Sequence, residues 1–254
     1  MVLLLGLAGA AQTARPVDTI AAASHIHPPL ANYRFPTGQT YVYTAEWRLW
    51  KAGTATLKLE SSGAENRVTA TADSSGFVAL LYKVRDRFEA SFDPRSFCSQ
   101  RVFKHTEEGF RKRETKIRFD YRQRKSVLDE TNLKNGDRKH AEQDIPGCVT
   151  DVLSGIYYLA SLPLQVGNTY VFPFNDGGQT IDVHAHVEAR EQIKTDAGTF
   201  STLRVQPEAS SGPLKQRGKI WIWYSDDQQH IPVQLRARAF WGTLTLKLAR
   251  VESK

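Results

Sequence analysis

Two adjacent aspartates, Asp226 and Asp227, follow an aromatic stretch that reads GKIWIWYSDDQQ from Gly218 to Gln229. A pair of carboxylates can supply a general acid and a general base for hydrolysis when both reach one substrate atom. Neighbouring residues on a strand point to opposite faces, and an aspartate in a turn commonly accepts backbone N–H bonds. We therefore interpret the pair as the turn that ends a strand, and keep carboxylate hydrolysis as an alternative.

A second polar pattern is DVHAHVE, in which Asp182, His184, His186 and Glu188 alternate with apolar residues. Imidazoles at positions i and i+2 of a strand point the same way and can hold zinc. The same spacing also describes the solvated face of an ordinary strand. Because no third ligand stands at a recognisable position, we predict no metal and no other cofactor, and keep His184 and His186 as the alternative metal candidates.

Motifs of the common enzyme classes are missing from the chain. It contains no GxSxG, HExxH, P-loop or GxGxxG sequence. Ser154 has no histidine at a recognisable position to activate it, so a packing role is favoured for that serine. We predict that the protein is not an enzyme and name no catalytic residue.

Most of the chain follows the two-residue period of β-strands. Apolar residues alternate with polar ones in TYVYTAEWRLW, and similar alternation recurs in eight further segments. Turn signals such as SSG, DPRS, KNGD, NDGG and DAGT stand between these runs. The strands that show this alternation are Tyr41–Leu49, Val84–Phe92, Ile117–Tyr121, Tyr170–Phe174, Ile181–Val187, Leu203–Val205, Ile220–Tyr224, Leu235–Ala239 and Leu244–Leu248.

One segment, TDVLSGIYYLASLPL, breaks this pattern because it is apolar on two adjoining helical faces. Thr150 or Asp151 can cap its start, and Pro163 marks its end. A helix that is apolar nearly all round must be enclosed. The sequence therefore predicts a mainly β protein, a single curled antiparallel sheet in the form of an open barrel or half-barrel, wrapped round this one helix. A shorter helical or turn segment, GFVALLYKV, is expected to plug or cover one end.

Four aromatic residues are candidates for contact with a ligand. Tyr157 and Tyr158 lie on the central helix, where their rings are expected to be buried and their hydroxyls to meet backbone groups or a cavity wall. On the strand after Gly218, Ile220, Ile222 and Tyr224 share one face and Trp221 and Trp223 the other. We predict that the first face packs on the helix, and that the tryptophans lie under a loop or form an apolar exposed wall.

The N-terminus, MVLLLGLAGAAQTA, predicts export. Its apolar run is too short to span a bilayer and leads into small residues that suit a signal-peptidase site near Ala11 or Ala14. We expect a signal peptide over residues 1–14, a flexible linker over residues 15–34 and a single β-rich domain over residues 35–254. The expected location is the bacterial periplasm or another exported compartment, with no transmembrane span.

Cysteine usage agrees with export. The chain has only Cys98 and Cys148, each beside turn residues. An even, minimal count in an exported chain favours one disulfide, with free buried thiols as the alternative. Closing that loop would stabilise the fold by roughly 4 kcal/mol.

The formal charge is +7, and basic residues crowd between Arg111 and Lys139. The alternation there places Lys116, Arg118 and Arg122 on a solvated face. A positive field favours anionic partners, but export and the lack of any nucleic-acid-binding motif argue against nucleic acid. A lipid or another anionic component of the envelope is the expected partner.

Several motifs together resemble a bacterial exported family, domain of unknown function 3108. They are FPTGQTYVYTAEWRLWKAGTATL, KVRDRFEASFDP, IPGCVTDVLSGIYYLASLPLQVGNTY, KTDAGTF and GKIWIWYSDDQQHIPVQLRA, and they run in order from about Tyr33 to the C-terminus. The resemblance implies a cell-envelope protein with a largely β fold, loosely like the curled open barrels of periplasmic lipoprotein carriers. It supplies no catalytic residue.

Three functions remain open on the sequence. The favoured one is a non-catalytic module that binds a lipid or another apolar ligand, with the central helix filling the cavity in the empty state. The second is an envelope-integrity protein that binds another envelope protein, for example through a sheet edge. The third is a hydrolase with carboxylate chemistry.

Overall fold

The computed structural model describes residues 25–48, 50–209, 218–239 and 242–253. Within these residues, fourteen strands form one antiparallel sheet, and two helices accompany it. The strands are β1 (Gln39–Trp47), β2 (Trp50–Ser62), β3 (Glu65–Ser74), β4 (Val84–Phe92), β5 (Ser99–Glu108), β6 (Arg111–Asp120), β7 (Lys125–Asn132), β8 (Arg138–Asp144), β9 (Thr169–Asp176), β10 (Gln179–Thr195), β11 (Gly198–Ala209), β12 (Lys219–Ser225), β13 (Pro232–Ala239) and β14 (Gly242–Ser253). The helices are α1 (Gly76–Leu81) and α2 (Val152–Ala160).

The strand order is that of two meanders joined along one pair of strands. Each strand pairs with its neighbours in sequence, except that β8 does not pair with β9, and β1 also pairs with β14 along its whole length. The edges of the sheet are consequently β8 and β9, the two strands that flank α2 in sequence. The mainly β fold with a single curled sheet is thus confirmed.

Strand β10 illustrates how the alternation of residue types sets the two faces of the sheet. Val183, Ala185 and Val187 are at most 2% exposed and point into the core, whereas His184 and Glu188, which alternate with them, are exposed. Apolar side chains gain roughly 25 cal/mol for each Å² removed from water, so this register is strongly preferred over one shifted by a residue.

The first predicted strand, which ran on to Leu49, divides in two. Strand β1 ends at Trp47, Arg48 turns the chain with a positive φ of 56°, and β2 begins at Trp50. Leu49 lies outside the described residues. Five strands, β2, β3, β5, β7 and β8, have no counterpart among the segments named from the sequence.

Helix α2 occupies the inside of the curled sheet, as predicted. Eight of its residues, Leu153 to Ala160, are buried, and they pack against β3, β4 and β9. The sheet curls far enough for β9 to approach β5: the Lys104 ammonium lies 2.9 Å from the carboxylate of Asp176. The helix is therefore enclosed by strands from both meanders.

The predicted signal peptide, residues 1–14, and the first part of the predicted linker lie outside the described residues. From residue 25 to residue 38 the chain forms neither helix nor strand, yet Ile26, Tyr33 and Phe35 pack against the core. Among the described residues, no helix is long and apolar enough to cross a membrane.

Candidate functional site

Residues 145–151, here named the strap, lead from edge strand β8 into α2 across the open side of the sheet. The N–H of Ser99, at the start of β5, donates to the carbonyl of Val149 over 2.9 Å. The N–H of Thr150 donates to Pro173 of β9 over 3.1 Å. Backbone hydrogen bonds of the strap thus connect β5 and β9, which are distant in the strand order.

The predicted disulfide is present and fixes the strap. Cys98 and Cys148 are joined with an S–S distance of 2.04 Å, and their Cα atoms lie 5.0 Å apart. Cys98 immediately precedes β5 and Cys148 belongs to the strap. The covalent bond therefore holds the entrance of α2 against the first meander.

Asp151 caps the start of α2, as predicted. Its carboxylate accepts hydrogen bonds from the N–H groups of Leu153 (2.9 Å) and Ser154 (3.2 Å), and from the hydroxyls of Ser99 and Ser154 (2.6 Å each). The aspartate is only 2% exposed, and a buried carboxylate is tolerated when several donors satisfy it. The hydroxyl of Ser154 is occupied by this cap.

Tyr158 of α2 lies in an aromatic cluster beneath the strap. Its ring meets Phe97 at 5.4 Å and Phe172 at 4.9 Å between centroids, both edge to face. Its hydroxyl accepts a hydrogen bond from the N–H of His27 at 3.3 Å. Tyr158 therefore ties the segment before β1 to the helix.

Tyr157 points to a second cluster, formed by buried tyrosines from four different parts of the chain. Three members have partners: the Tyr41 hydroxyl donates to the side chain of Gln39 (3.1 Å), the Tyr43 hydroxyl to the carbonyl of Pro232 (2.8 Å), and the Tyr224 hydroxyl to that of Ile156 (2.9 Å). Tyr224 thus packs β12 on the helix, which confirms the predicted orientation of that face. The hydroxyls of Tyr33 and Tyr157 are buried and have no hydrogen-bond partner among the described residues.

Burial holds these tyrosines neutral. It raises the pKa of Tyr157, Tyr43 and Tyr224 well above the ordinary value, and neighbouring tyrosines in the same cluster add to the rise. Burial also raises the pKa of Tyr33, with a smaller contribution from Tyr41. Each phenol is thus neutral and can donate or accept a hydrogen bond, so an ester or carboxyl oxygen of a ligand suits the two unpartnered hydroxyls.

A cleft of about 320 Å³ opens beside Tyr33, at the end of the barrel where α2 finishes. Its walls come from the segment before β1, from the residues that follow α2 and from the turn between β12 and β13. The floor and rim combine apolar side chains such as Leu30 and Leu162 with polar ones. The lining consists of Leu30, Asn32, Tyr33, Ala160, Ser161, Leu162, Pro163, Asp226, Asp227, Gln228 and His230.

The two aspartates of the opening motif lie at this cleft but bind different partners. Asp226 forms an ion pair with Arg190 at 2.6 Å. Asp227 accepts hydrogen bonds from the N–H groups of Gln229 and His230 (2.8 and 3.2 Å), as a turn aspartate does. The interpretation as a turn is confirmed, and the two carboxylates do not converge on one point.

Trp223 lies on the outer face of β12 and is nearly enclosed, with 3% of its surface exposed. Its indole N–H donates to the carboxylate of Glu191 at 2.8 Å, and the Arg236 guanidinium lies 5.1 Å from the ring centroid. Charged side chains therefore cover the ring, where we had expected a loop or an exposed apolar wall. Trp221 is half-buried on the same face, and a ligand role for either tryptophan stays a prediction.

The two strand histidines share a face, as their spacing predicts. The rings of His184 and His186 are 6.5 Å apart, and Nδ1 of His186 is hydrogen-bonded to the Thr169 hydroxyl at 2.9 Å. Within the ranges that the structure describes, no group of three or more His, Cys, Asp or Glu residues could hold a metal ion.

The basic residues of β6 face outward, as predicted. Lys116 and Arg118 are exposed, whereas Ile117 between them is 2% exposed. A shallow groove of about 480 Å³ runs over this face from β3 to β7. Acidic neighbours neutralise part of the positive charge along this groove, because Arg101 pairs with Glu65 at 2.6 Å.

Sequence reasoning missed Tyr33, Tyr41 and Tyr43 as neighbours of Tyr157. Tyr41 and Tyr43 alternate in the first strand, a signal that places both on the inner face. Tyr33 stood in the predicted linker, where no periodicity marks it as part of the core. Their proximity to the helix depends on how the whole sheet curls round α2, which no local pattern in the sequence shows.

The fold and the cleft together define a barrel-like β protein with a helix inside the sheet. A solved structure of a beta-barrel-like protein of domain of unknown function DUF1849 from Brucella abortus is similar over 91% of this chain and 100% of its own, with a TM-score of 0.57 and 9% identity. A putative exported protein with a YmcC-like fold from Bacteroides fragilis matches over the same shares with a TM-score of 0.31 and 8% identity. The first of these likenesses supports the barrel-like fold and nothing finer.

The model of the family "protein of unknown function (DUF3108)" matches residues 42–249, and the chain belongs to this family. The resemblance inferred from the five motifs is thereby confirmed. Comparison with curated protein sequences finds no significant match. Nothing in these comparisons indicates catalysis.

Proposed function

We propose that the protein is a non-catalytic binding module of the bacterial cell envelope, and that its ligand is an amphiphile with an apolar chain, such as a fatty acid or a lipid. The observation that carries this proposal is the pair of buried, unpartnered hydroxyls on Tyr33 and Tyr157. A buried hydroxyl without a partner costs roughly 1–3 kcal/mol, so a ligand that satisfies it gains that amount.

The cleft beside Tyr33 supports the same function. Its volume of about 320 Å³ is at the lower end of the range found for small-molecule sites. Leu30 and Leu162 offer apolar contact for a chain, while the polar rim around Asn32 and His230 suits a head group. A single acyl chain fits this volume better than a whole two-chain lipid.

The segment over residues 25–34 is the element that a larger ligand would displace. It has no backbone ladder of its own, and one of its attachments to α2 is the hydrogen bond from His27 to Tyr158. Moving this segment would open the tyrosine cluster without breaking a strand pair. Residues 25–34 are the described part of the linker predicted over residues 15–34. For this part we propose the role of a displaceable segment in place of a linker.

Export from the cytoplasm is part of the proposal. The apolar N-terminal sequence and the disulfide both agree with an oxidising compartment. Fractionation of cells with N-terminal sequencing should find the chain in the envelope, beginning shortly after Ala11 or Ala14. A full-length chain in the cytoplasm would contradict this part.

The binding function is tested by native mass spectrometry of the protein purified from its own envelope, and by titration with a naturally fluorescent polyene fatty acid. We expect a co-purifying amphiphile and saturable binding of one probe molecule per chain. Leu30→Asp, in the cleft, should weaken binding at least about tenfold, because a charge there opposes an apolar chain. Val166→Asp, which replaces a 52% exposed residue outside the cleft, is the matched control.

Equal loss of binding in both variants would contradict the cleft as the site. A clean unliganded mass together with no saturable binding would overturn the function itself.

A second function, binding of an envelope protein by strand addition, is favoured by edge strand β8. In the described sheet β8 pairs only with β7, so its other side offers backbone groups to an added strand. Its exposed side chains are mostly charged or polar, a composition that protects edges from unselective pairing. A pull-down that returns one stoichiometric envelope protein from the native chain, but not from Ala141→Pro, would favour this function.

A further inference from the structure

The end of the barrel opposite the cleft carries a set of exposed apolar side chains. Helix α1 connects β3 to β4 there, and none of its residues is buried. Phe77, Leu80 and Leu81 of this helix are 71%, 84% and 65% exposed, and Phe110 in the turn between β5 and β6 is 88% exposed. Such an all-apolar helix without a covering partner is unusual on the surface of a globular protein.

The loops that carry these side chains form one continuous surface. The Tyr82 ring, at the end of α1, packs so closely on Gly109 that a Cβ there would lie 2.8 Å from it. The N–H of Gly109 donates to the carbonyl of Lys83 over 2.7 Å. The N–H of Leu133, between β7 and β8, donates to the carbonyl of Lys112 over 2.9 Å.

We name this surface the apolar rim and define it by its exposed apolar members: Phe77, Leu80, Leu81, Tyr82, Phe110 and Leu133. From their exposed fractions and typical side-chain areas, the rim presents on the order of 600 Å² of apolar surface. That is at the upper limit for the largest patch of a typical monomer, and patches of this size mark interaction sites.

Cations surround the apolar rim. Lys83, Arg111 and Lys134 are exposed and form no ion pair within the described part of the chain. The Lys134 ammonium lies 5.2 Å from the centre of the Phe110 ring. Of the nearby carboxylates, Glu107 is engaged by Lys112 at 3.2 Å, and Glu108 stands opposite Arg111 in the pairing of β5 with β6. The rim therefore combines protruding apolar side chains with positive charge, and it does so at the tips of loops.

We propose that the apolar rim docks the protein on the surface of an anionic lipid bilayer. Apolar side chains would enter the boundary between head groups and acyl chains, as those of interfacial helices do. The lysines and arginine would meet the negatively charged lipids, each contributing to attraction at short range. Tyr82 has the amphipathic ring that is typical of residues at the level of the head groups.

The shape of the rim favours a bilayer over a protein partner. Its side chains project from three separate loop tips, and a fluid bilayer can surround each of them. A protein partner would have to supply a pocket for each one, or a groove for a helix of only six residues. The docked barrel would stand with its cleft end away from the membrane.

The proposal is tested by flotation of the full chain with vesicles of phosphatidylethanolamine and phosphatidylglycerol, beside vesicles of phosphatidylcholine alone. The native chain should bind the anionic vesicles, and binding should weaken as salt is added. The double variant Leu80→Ser/Phe110→Ser should lower the partition coefficient at least about tenfold, because two inserted apolar side chains are lost. Both residues are more than four-fifths exposed, so the urea midpoint should stay unchanged.

Two further variants separate the contributions. Lys83→Glu/Lys134→Glu should lower binding to anionic vesicles at least about tenfold and leave binding to phosphatidylcholine unchanged. Val166→Ser, at the cleft end of the barrel, is the matched control and should bind like the native chain. All variants carry the same apolar N-terminus, so differences between them do not arise from it.

Absence of binding to anionic vesicles would overturn the proposal, and so would equal binding by the native chain and Leu80→Ser/Phe110→Ser. Analytical ultracentrifugation of the same proteins supplies a third outcome. If the native chain is a dimer and the double serine variant a monomer, the rim is an interface with a second copy and the bilayer proposal is wrong. These outcomes are independent of fatty-acid binding at the cleft.

Discussion

Replacement of Tyr157 by phenylalanine should stabilise the empty protein. The hydroxyl of Tyr157 is buried on a side chain that is 1% exposed, and it has no partner among the described residues. A buried hydroxyl of this kind costs roughly 1–3 kcal/mol, and phenylalanine keeps the ring in place. We expect Tyr157→Phe to raise the free energy of unfolding by about 1 kcal/mol.

Tyr224→Phe is the matched comparison, because the same atom is removed at a position that is equally buried. The Tyr224 hydroxyl donates to the carbonyl of Ile156 at 2.9 Å. Its loss removes a buried hydrogen bond between β12 and the helix, so the free energy of unfolding should fall by about 1–2 kcal/mol. The two variants are thus expected to differ by about 2–3 kcal/mol with opposite signs.

The measurement is urea unfolding of the disulfide-bonded protein, followed by the fluorescence of its 5 tryptophans. For an m value of roughly 2–3 kcal/mol/M, the two midpoints should be separated by about 1 M. Equal m values would show that neither variant alters the surface exposed on unfolding. A loss in Tyr157→Phe as large as that in Tyr224→Phe would refute the reasoning, since the hydroxyl would then be hydrogen-bonded, for example to a buried water.

Two further predictions concern pH and the disulfide. Burial, and next Glu108, raise the pKa of Asp86 to about 7. The native carboxyl therefore keeps a proton that the unfolded one loses between about pH 4 and about pH 7, so the free energy of unfolding should fall as the pH rises through that window. Asp86→Asn should remove most of this fall, as measured by urea midpoints from acid to neutral pH. An unchanged dependence of the midpoint on pH would contradict the assignment to Asp86. Cys98→Ser/Cys148→Ser should lower the free energy of unfolding by about 4 kcal/mol, because the 50-residue loop is no longer closed in the unfolded chain. The reduced native protein should unfold at the same urea concentration as this variant. A midpoint equal to that of the oxidised protein would contradict the stabilisation assigned to the disulfide.

The parts of the fold that could be predicted are those in which residue type reports burial. Strand β4 has the predicted bounds Val84–Phe92, because its apolar side chains alternate clearly. Helix α2 is recognisable since an apolar run with a capping aspartate fits no half-exposed strand. Strand β8, Arg138–Asp144, was missed because it lies at an edge with both faces largely solvated, and its sequence therefore shows no period.

The site was less predictable than the fold. Tyr157 and Tyr158 were correctly placed on a buried helix, but their hydroxyls differ in a way that no local pattern reveals. Tyr158 meets the backbone of His27, 131 residues away in sequence, and Tyr157 meets no partner within the described chain. Trp223 was expected under a loop or in an exposed apolar wall, yet Glu191 and Arg236 cover it because β10 and β13 bring charged side chains to its face. Contacts of this kind depend on the curvature of the whole sheet.

The pairing of β1 with β14 has a consequence for synthesis of the chain. When α2 leaves the ribosome, β1 to β8 are complete, but β9 to β14 have not yet been made. The eight helix residues that are buried in the native protein then have only half of their enclosure. In the described sheet, the hydrogen-bonded joint between the two meanders is the β1–β14 pair, so the last strand made is the one that closes the wall. The growing chain therefore lacks a complete enclosure for this apolar helix until translation is nearly finished, and exposed apolar surface of that kind is what chaperones bind.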